Sequence, residues 1–387
     1  MAAFFASVIW MSGEHARGAQ IHPLRVVPNP HCGRTYSVAK PSMQNVNMRD
    51  CLYLLTGLPV SRLAELVRRI DTIPLHAHAY SHHLNLRLGT EAPADMLAFA
   101  ARHSLQGLNI HVEDGEARSL RHMSPEDRHG FGLQARALGL ALHVETSSTA
   151  LEDLQEAVEI AHATGARAVR CYPRHHGPLS HVIARTIEDL RRLDAIDPGG
   201  KLAFRLEQHE DLKAAELLRI VTEVANPRLS LLFDFGNMVN AFETPDHAFA
   251  IMAPKITEAH IKDIRIGEDR GGWSQIACKS GEGQADFHRL LLALLLLGEE
   301  KPQVTAYALQ EENGMVSPAF RFPGEPADPV IAWRAPSTTD PEPGESLDRR
   351  LDRERREADE QVAHVRGVLE DLKIAASRIL ARQGIGV

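Results

Sequence analysis

Four apolar runs end on side chains that can bind a cation or move a proton. They are "LAFRLE" ending on Glu207, "LSLLFD" ending on Asp234, "TEAHIKD" around His260, and "YALQ" followed by Glu311. Charge at the end of a buried strand costs desolvation free energy unless something compensates it. Three carboxylates converging with one imidazole would repel one another, and a divalent cation between them removes the conflict. Oxygen-rich ligation with one nitrogen and no thiolate suits one ion of the Mn²⁺ class, with Mg²⁺, Co²⁺ or Zn²⁺ as other occupants. Each residue also has a plainer reading. Asp234 in "DFGN" could cap a helix, His260 could be a hydrogen-bonded core histidine, and Glu311 could be a solvated strand end. Their placement at four successive strand ends favours the joint reading. Glu312 is an equal-looking neighbour of Glu311, but successive strand residues face opposite sides, so only one can point inward. Glu311 is taken as that one.

These residues can meet only if the elements carrying them share one end of a sheet. From about residue 58, helical patterns such as "SRLAELVRRI" and "ADMLAFAARH" alternate with short apolar runs, the rhythm of βα units on a parallel sheet. The strand candidates are Pro74–Tyr80, Gly107–Val112, Ala141–Thr146, Ala168–Tyr172, Leu202–Glu207, Leu229–Asp234, Thr257–Ile261 and Val304–Gln310. Eight such repeats, with no GxGxxG after the first strand, predict an α/β fold of the (β/α)8 TIM barrel type rather than a doubly wound dinucleotide fold. In such a barrel the strand ends converge on one mouth, and the site residues fall on the fifth to eighth strands in order. Gly165 and Asn226 are the expected C-caps of two intervening helices.

The chain divides into an extension with no periodicity over residues 1–47, a barrel over 48–315, a Pro-rich excursion over 316–345 and a C-terminal helix over 346–387 that packs on the barrel. The charged first half of that helix is expected to project or to pair with a neighbouring chain, leaving room for a homo-oligomer. The extension should pack poorly, and Met43 or Met48 could be the true start. Its "MAAFFASVIWM" run lacks a preceding basic residue and a small-x-small cleavage site, which argues against a signal peptide, and it is too short to span a bilayer. "LLLALLLLG" is also too short and reads as a buried helix. A net charge of −8 without a basic stripe argues against nucleic acid and for a small-molecule partner. Four dispersed cysteines without a CxxC pair, in a chain that is 44% hydrophobic, read as buried free thiols in the cytoplasm.

Taken in order, the motifs resemble those of the xylose-isomerase-like barrels, a family of sugar phosphate isomerases/epimerases, ketose 3-epimerases, inosose dehydratases and the endonuclease IV group. The carrying motifs are "ExH" at Glu207 and His209, "DFGN" at 234–237, "HIKD" at 260–263 and "GEGQADF" at 281–287, and the likeness covers about residues 58–315. It implies one divalent ion held by Glu207, Asp234, His260 and the strand-eight glutamate. It also implies that His209 and Lys262 line the substrate pocket, that Glu207 and Glu311 transfer protons, and that "GEG" shapes the turn into the seventh helix. Asn237, His111 and Glu145 are expected to contact the substrate as well. The endonuclease members bind three zinc ions. They need a histidine where this chain has Asn237 and an Asp-x-His that "GQADF" does not offer, which argues against DNA repair.

A cation that chelates a carbonyl and the adjacent hydroxyl acidifies the shared C–H, because it stabilises the developing enediolate charge. A carboxylate then moves the proton. The expected activity is metal-dependent isomerisation or epimerisation of a polyhydroxylated sugar or sugar phosphate. Loss of a β-hydroxyl would make the same site a dehydratase or other lyase of an inosose- or dehydroshikimate-like substrate. A non-catalytic ligand-binding barrel is the alternative of another class.

Overall fold

The computed structural model describes residues 27–28, 48–339 and 344–385, so most of the expected extension, including Cys32, lies outside the described residues. Eight parallel strands close into a barrel. They are β1 (Leu75–His78), β2 (Gly107–His111), β3 (Ala141–Glu145), β4 (Ala168–Cys171), β5 (Ala203–Glu207), β6 (Leu229–Asp234), β7 (Ile256–Ile261) and, after the hairpin β8 (Asp263–Asp269) and β9 (Gly272–Cys278), β10 (Tyr307–Leu309). β10 pairs with both β7 and β1 and closes the ring. Each strand overlaps one of the eight segments expected from the sequence.

Helices cover the outside because their apolar residues recur at three- and four-residue spacing. Val60–Asp71, for example, buries Leu63, Leu66, Val67 and Ile70. Phe204, Phe233, Phe235 and Phe249 fill the layer between barrel and helices. Helix Leu151–Thr164 stops at Gly165 as expected, with φ 72°. Helix Ala214–Val224 stops one residue earlier than expected, with Ala225 rather than Asn226 in the left-handed region at φ 55°. Asn226 instead accepts the Arg228 N–H and donates to Asp194, a local turn that outcompetes a cap role.

The β8–β9 hairpin is the main element absent from the sequence reading. It fills the wide interval before β10, and its outer edges carry Val27–Pro28 and Met315–Ser317. The Pro-rich segment crosses the C-terminal mouth of the barrel. It is held where Asn240 Nδ2 donates to the carbonyls of Ser317 and Pro318, where Arg321 pairs with Glu216 and Glu325, and where Asp328 accepts from Ser180.

The C-terminal helix runs Leu347–Arg382, inside the expected 346–387, and buries a stripe from Leu351 through Ala358, Val365 and Leu372 to Leu380. Its charged first half packs on the molecule rather than projecting. Glu354 accepts the N–H groups of Leu84 (2.7 Å) and Asn85 (2.9 Å), which open a short helix and would otherwise lack partners. Gln361 reaches the carbonyl of Ile261 at 3.0 Å, tying the helix to the end of β7. Among the described residues no helix is long and apolar enough to cross a membrane.

Candidate metal centre

Side chains alternate in and out along each strand, so the inward set follows from the register. Ala308 pairs with His260 and Asp234 pairs with His260, so these positions share the inner face. That face is polar where such barrels usually hold branched aliphatics. A lower layer contains His76, Asn109, His143, Arg205 and Glu258. His143 Nδ1 lies 3.0 Å and Arg205 Nε 3.4 Å from Glu258. Gly107 opens β2 without a side chain because a Cβ there would lie 2.5 Å from the His76 ring.

The upper layer holds His78, Glu145, Arg170, Glu207, Asp234 and His260. Glu207, Asp234 and His260, each expected as a ligand, offer ligand atoms within 4.8 Å of one another. Buried Glu207 Oε2, Asp234 Oδ2 and both ring nitrogens of His260 make no well-directed hydrogen bond, although Arg170 Nε lies 3.2 Å from Glu207 Oε2 and Lys262 Nζ 3.3 Å from Asp234 Oδ2. The other Asp234 oxygen accepts the N–H groups of Gly236 (2.7 Å) and Asn237 (2.8 Å), which aims Oδ2 at the cluster. Asp234 thus makes the cap-like bonds of the plainer reading and still leaves one oxygen free to bind. His78, Glu145 and His260 form a second close group, but Arg170 lies directly against Glu145 and 3.2 Å from Glu207, which opposes a cation there.

The electrostatics fit a dication on the Glu207 side. Four carboxylates, Glu145, Glu207, Asp234 and Glu312, face two fixed cations, Arg170 and Lys262, a surplus of two negative charges that a protonated His260 reduces to one. Burial opposes a charge on His260, but Glu145 and Glu207 outweigh it and raise its pKa to about 10. Burial pushes Asp234 up, against the pull of Lys262. Burial would raise Glu207 too, yet Arg170 and His260 hold it far below the usual carboxylate range, so it is ionised at neutral pH. Unbonded oxygens, one imidazole nitrogen and no thiolate are the donor set of a divalent ion.

Glu311 does not join them. Ala308 faces inward, so Glu311 falls on the outward parity. Its Oε2 accepts the Ser280 N–H at 3.1 Å, and burial raises its carboxyl to about 8. Glu312 is the inward glutamate, 3.0 Å from Lys262 Nζ. The period of two stated the choice correctly, and the strand's phase, set by pairing with β7, reverses the outcome.

Lys262 also donates to Asn237 Oδ1 (2.8 Å) and lies 3.3 Å from Asp234, while Asn237 Nδ2 donates to Glu207 at 3.3 Å. His209 stacks on Tyr172 with ring centroids 3.7 Å apart, and burial pushes its pKa well below the usual value. His111 bonds Ser147 at 2.9 Å, and burial and Arg170 lower it to about 3. Glu145 is fully buried among four donors. The sequence reading missed His78, Asn109, Glu258 and the inward turn of Glu312. The alternation His76, His78 in "LHAH" was the available signal for an inward polar face. Toward the mouth, His209, Arg174 and His176 face Phe320, Ile331 and Trp333 of the Pro-rich strap across a small cavity.

Comparison with known proteins agrees with the barrel fold. Residues 94–306 match the family model described as xylose isomerase-like TIM barrel. The uncharacterized protein YihM of Escherichia coli K12 is 44% identical over 321 residues, covering 83% of this chain and 98% of that protein. The 3-oxo-isoapionate decarboxylase of Pectobacterium atrosepticum is 26% identical over 175 residues, 43% of this chain and 62% of that protein. Among solved structures, D-psicose 3-epimerase from Clostridium cellulolyticum H10, determined with D-tagatose, has a TM-score of 0.51 and 14% identity. The match covers 77% of this chain and 99% of that one, a likeness of fold.

Proposed function

Because the chain belongs to the xylose isomerase-like TIM barrel family, we propose that it is a divalent-cation-dependent isomerase or epimerase of a polyhydroxylated carbonyl compound, a sugar or sugar phosphate. The observation that carries this reading is the group of unbonded, buried atoms on Glu207, Asp234 and His260 facing one another. These three would hold the ion, of the Mn²⁺ class, with Glu312 in the role first expected of Glu311. When bound, the ion would supply Lewis-acid polarisation of the substrate's carbonyl and hydroxyl oxygens. Glu207, ionised and steadied by Asn237, accepts the proton as the C–H bond breaks and its electron pair moves toward the carbonyl oxygen. Return of that proton to the former carbonyl carbon, with the hydroxyl proton passing to the former carbonyl oxygen, gives aldose–ketose isomerisation. For epimerisation Glu207 keeps the abstracted proton, and Glu312, entering the step as the carboxylic acid, gives its own proton to the opposite face of the same carbon. Lys262 holds Asp234 and Glu312 in register. Buried free thiols at Cys51, Cys171 and Cys278 support a reducing compartment, the cytoplasm.

The experiment is ion content of the purified protein, followed by solvent deuterium uptake into a panel of ketoses and their phosphates. One ion per chain and exchange abolished in Glu207→Gln at saturating Mn²⁺ are expected. Absence of bound ion, which the non-catalytic barrel would give, or undiminished exchange in the variant refutes the reading. The similarity to 3-oxo-isoapionate decarboxylase favours lyase chemistry as a second reading. There a C–C bond breaks instead of a C–H bond, and its electron pair takes the same path to the carbonyl oxygen. Release of CO₂ from 3-oxo sugar acids without prior deuterium uptake would select it.

A further inference from the structure

We propose that Glu145 is a positioning residue for His260, holding the proton on Nε2 so that the Nδ1 lone pair faces Glu207 and Asp234. The inference rests on reading Glu207, Asp234 and His260 as a cation site. The two Glu145 oxygens face two donors each. Oε2 faces His78 Nε2 at 3.1 Å and the Arg170 guanidinium, while Oε1 faces Asn109 Nδ2 at 3.1 Å and His260 Nε2 at 3.3 Å. With four donors around its two oxygens and no exposed surface, Glu145 has no seat for a substrate.

Three of the four donors are fixed by their other bonds. His78 Nδ1 accepts the Tyr80 N–H at 3.1 Å, so its proton sits on Nε2. Asn109 Nδ2 lies between two carboxylates, Glu145 and Glu258 (2.6 Å), so its amide nitrogen must face them, and Oδ1 is left for His76 Nδ1 at 2.9 Å. Arg170 is a donor always. Only the His260 proton is undetermined by a further bond, and both its nitrogens face carboxylates, Nε2 toward Glu145 and Nδ1 toward Glu207 at 3.3 Å. A bound cation takes the place of one His260 ring proton and leaves the other. If Glu145 takes it, Nδ1 presents a lone pair to the space shared with Asp234 Oδ2, 4.0 Å away. A carboxylate behind a metal-bound imidazole fixes its tautomer and raises its basicity. The lower polar layer then has a role, since Asn109 and Glu258 steady Glu145 from beneath.

Zn²⁺ serves as probe, being diamagnetic. In the ¹⁵N-histidine-labelled, Zn²⁺-loaded wild type, NMR should find His260 protonated at Nε2 and metal-bound at Nδ1. Glu145→Gln should lower Zn²⁺ affinity about 10–100-fold, the usual cost of losing such a partner, while the ion-free melting transition persists. A proton on Nδ1 in the loaded wild type, or a Glu145→Gln affinity within about twofold of wild type, overturns the inference. The wild-type spectrum decides the matter even if the variant does not fold. Failure of the wild type to bind Zn²⁺ at all refutes the cation-site reading itself, whereas binding with the wrong tautomer refutes only the role of Glu145.

Discussion

Asp263 gathers four backbone N–H groups into one carboxylate, and replacing it by asparagine should unlock the turn behind the site. Oδ1 accepts from Ile264 (2.8 Å) and Ala285 (3.1 Å), and Oδ2 from Gly281 (2.9 Å) and Gly283 (2.8 Å). Every lone pair is used, which leaves no place for a proton although burial penalises the charge. The sequence motif "GEG" is explained by this grip. A Cβ on Gly283 would lie 2.1 Å from Asp263 Oδ1 and 2.6 Å from the Ile264 carbonyl. Asparagine keeps one accepting oxygen and turns an NH₂ toward the other two donors. Two hydrogen bonds to a charged acceptor are lost, each about 1.5–3 kcal/mol, and relief of the burial cost offsets part of that. The net loss should be about 3 kcal/mol. Urea unfolding of D263N measures it, and amide exchange at Gly281 and Gly283 locates it. A loss below about 1 kcal/mol with unchanged exchange would refute the argument.

Three further outcomes follow from the same geometry. Glu312→Gln should weaken Mn²⁺ binding about tenfold or more, whereas Glu311→Gln, on the outward parity, should leave it within about twofold; calorimetric titration separates them, and equal effects would contradict the strand phase. Asp114, buried with its carboxyl raised from 3.8 to about 7, binds more protons folded than unfolded between those values. Its contribution to stability is therefore complete below about 3.8 and lost as pH rises through about 7. Asp114→Asn should gain on wild type by up to about 4 kcal/mol between pH 4 and 8, and a pH-independent difference in urea midpoints would count against this. Leu372→Ala, removing a fully buried side chain of the C-terminal helix, should cost about 2–5 kcal/mol. An unaltered melting temperature would mean that this helix is not part of the core.

Much of this molecule is legible in local pattern, because strands and helices announce themselves by periods of two and 3.6 residues. All eight barrel strands, the Gly165 cap and the presence of a long C-terminal helix follow from that periodicity, and Glu207, Asp234 and His260 stand out as charge where burial is expected. What depends on phase between strands is not local. Whether Glu311 or Glu312 faces inward is set by the pairing of Ala308 with His260, and nothing in "YALQEE" encodes it. The partners of Glu145 come from β1, β2, β4 and β7, so its change from expected substrate contact to an enclosed carboxylate exists only once the barrel closes. The same holds for Arg170, which becomes a buried counter-ion only where β3 and β5 bring Glu145 and Glu207 to either side of it. Periodicity reports which side of its own strand a residue occupies, but charge is compensated between strands, and only tertiary closure brings those partners together.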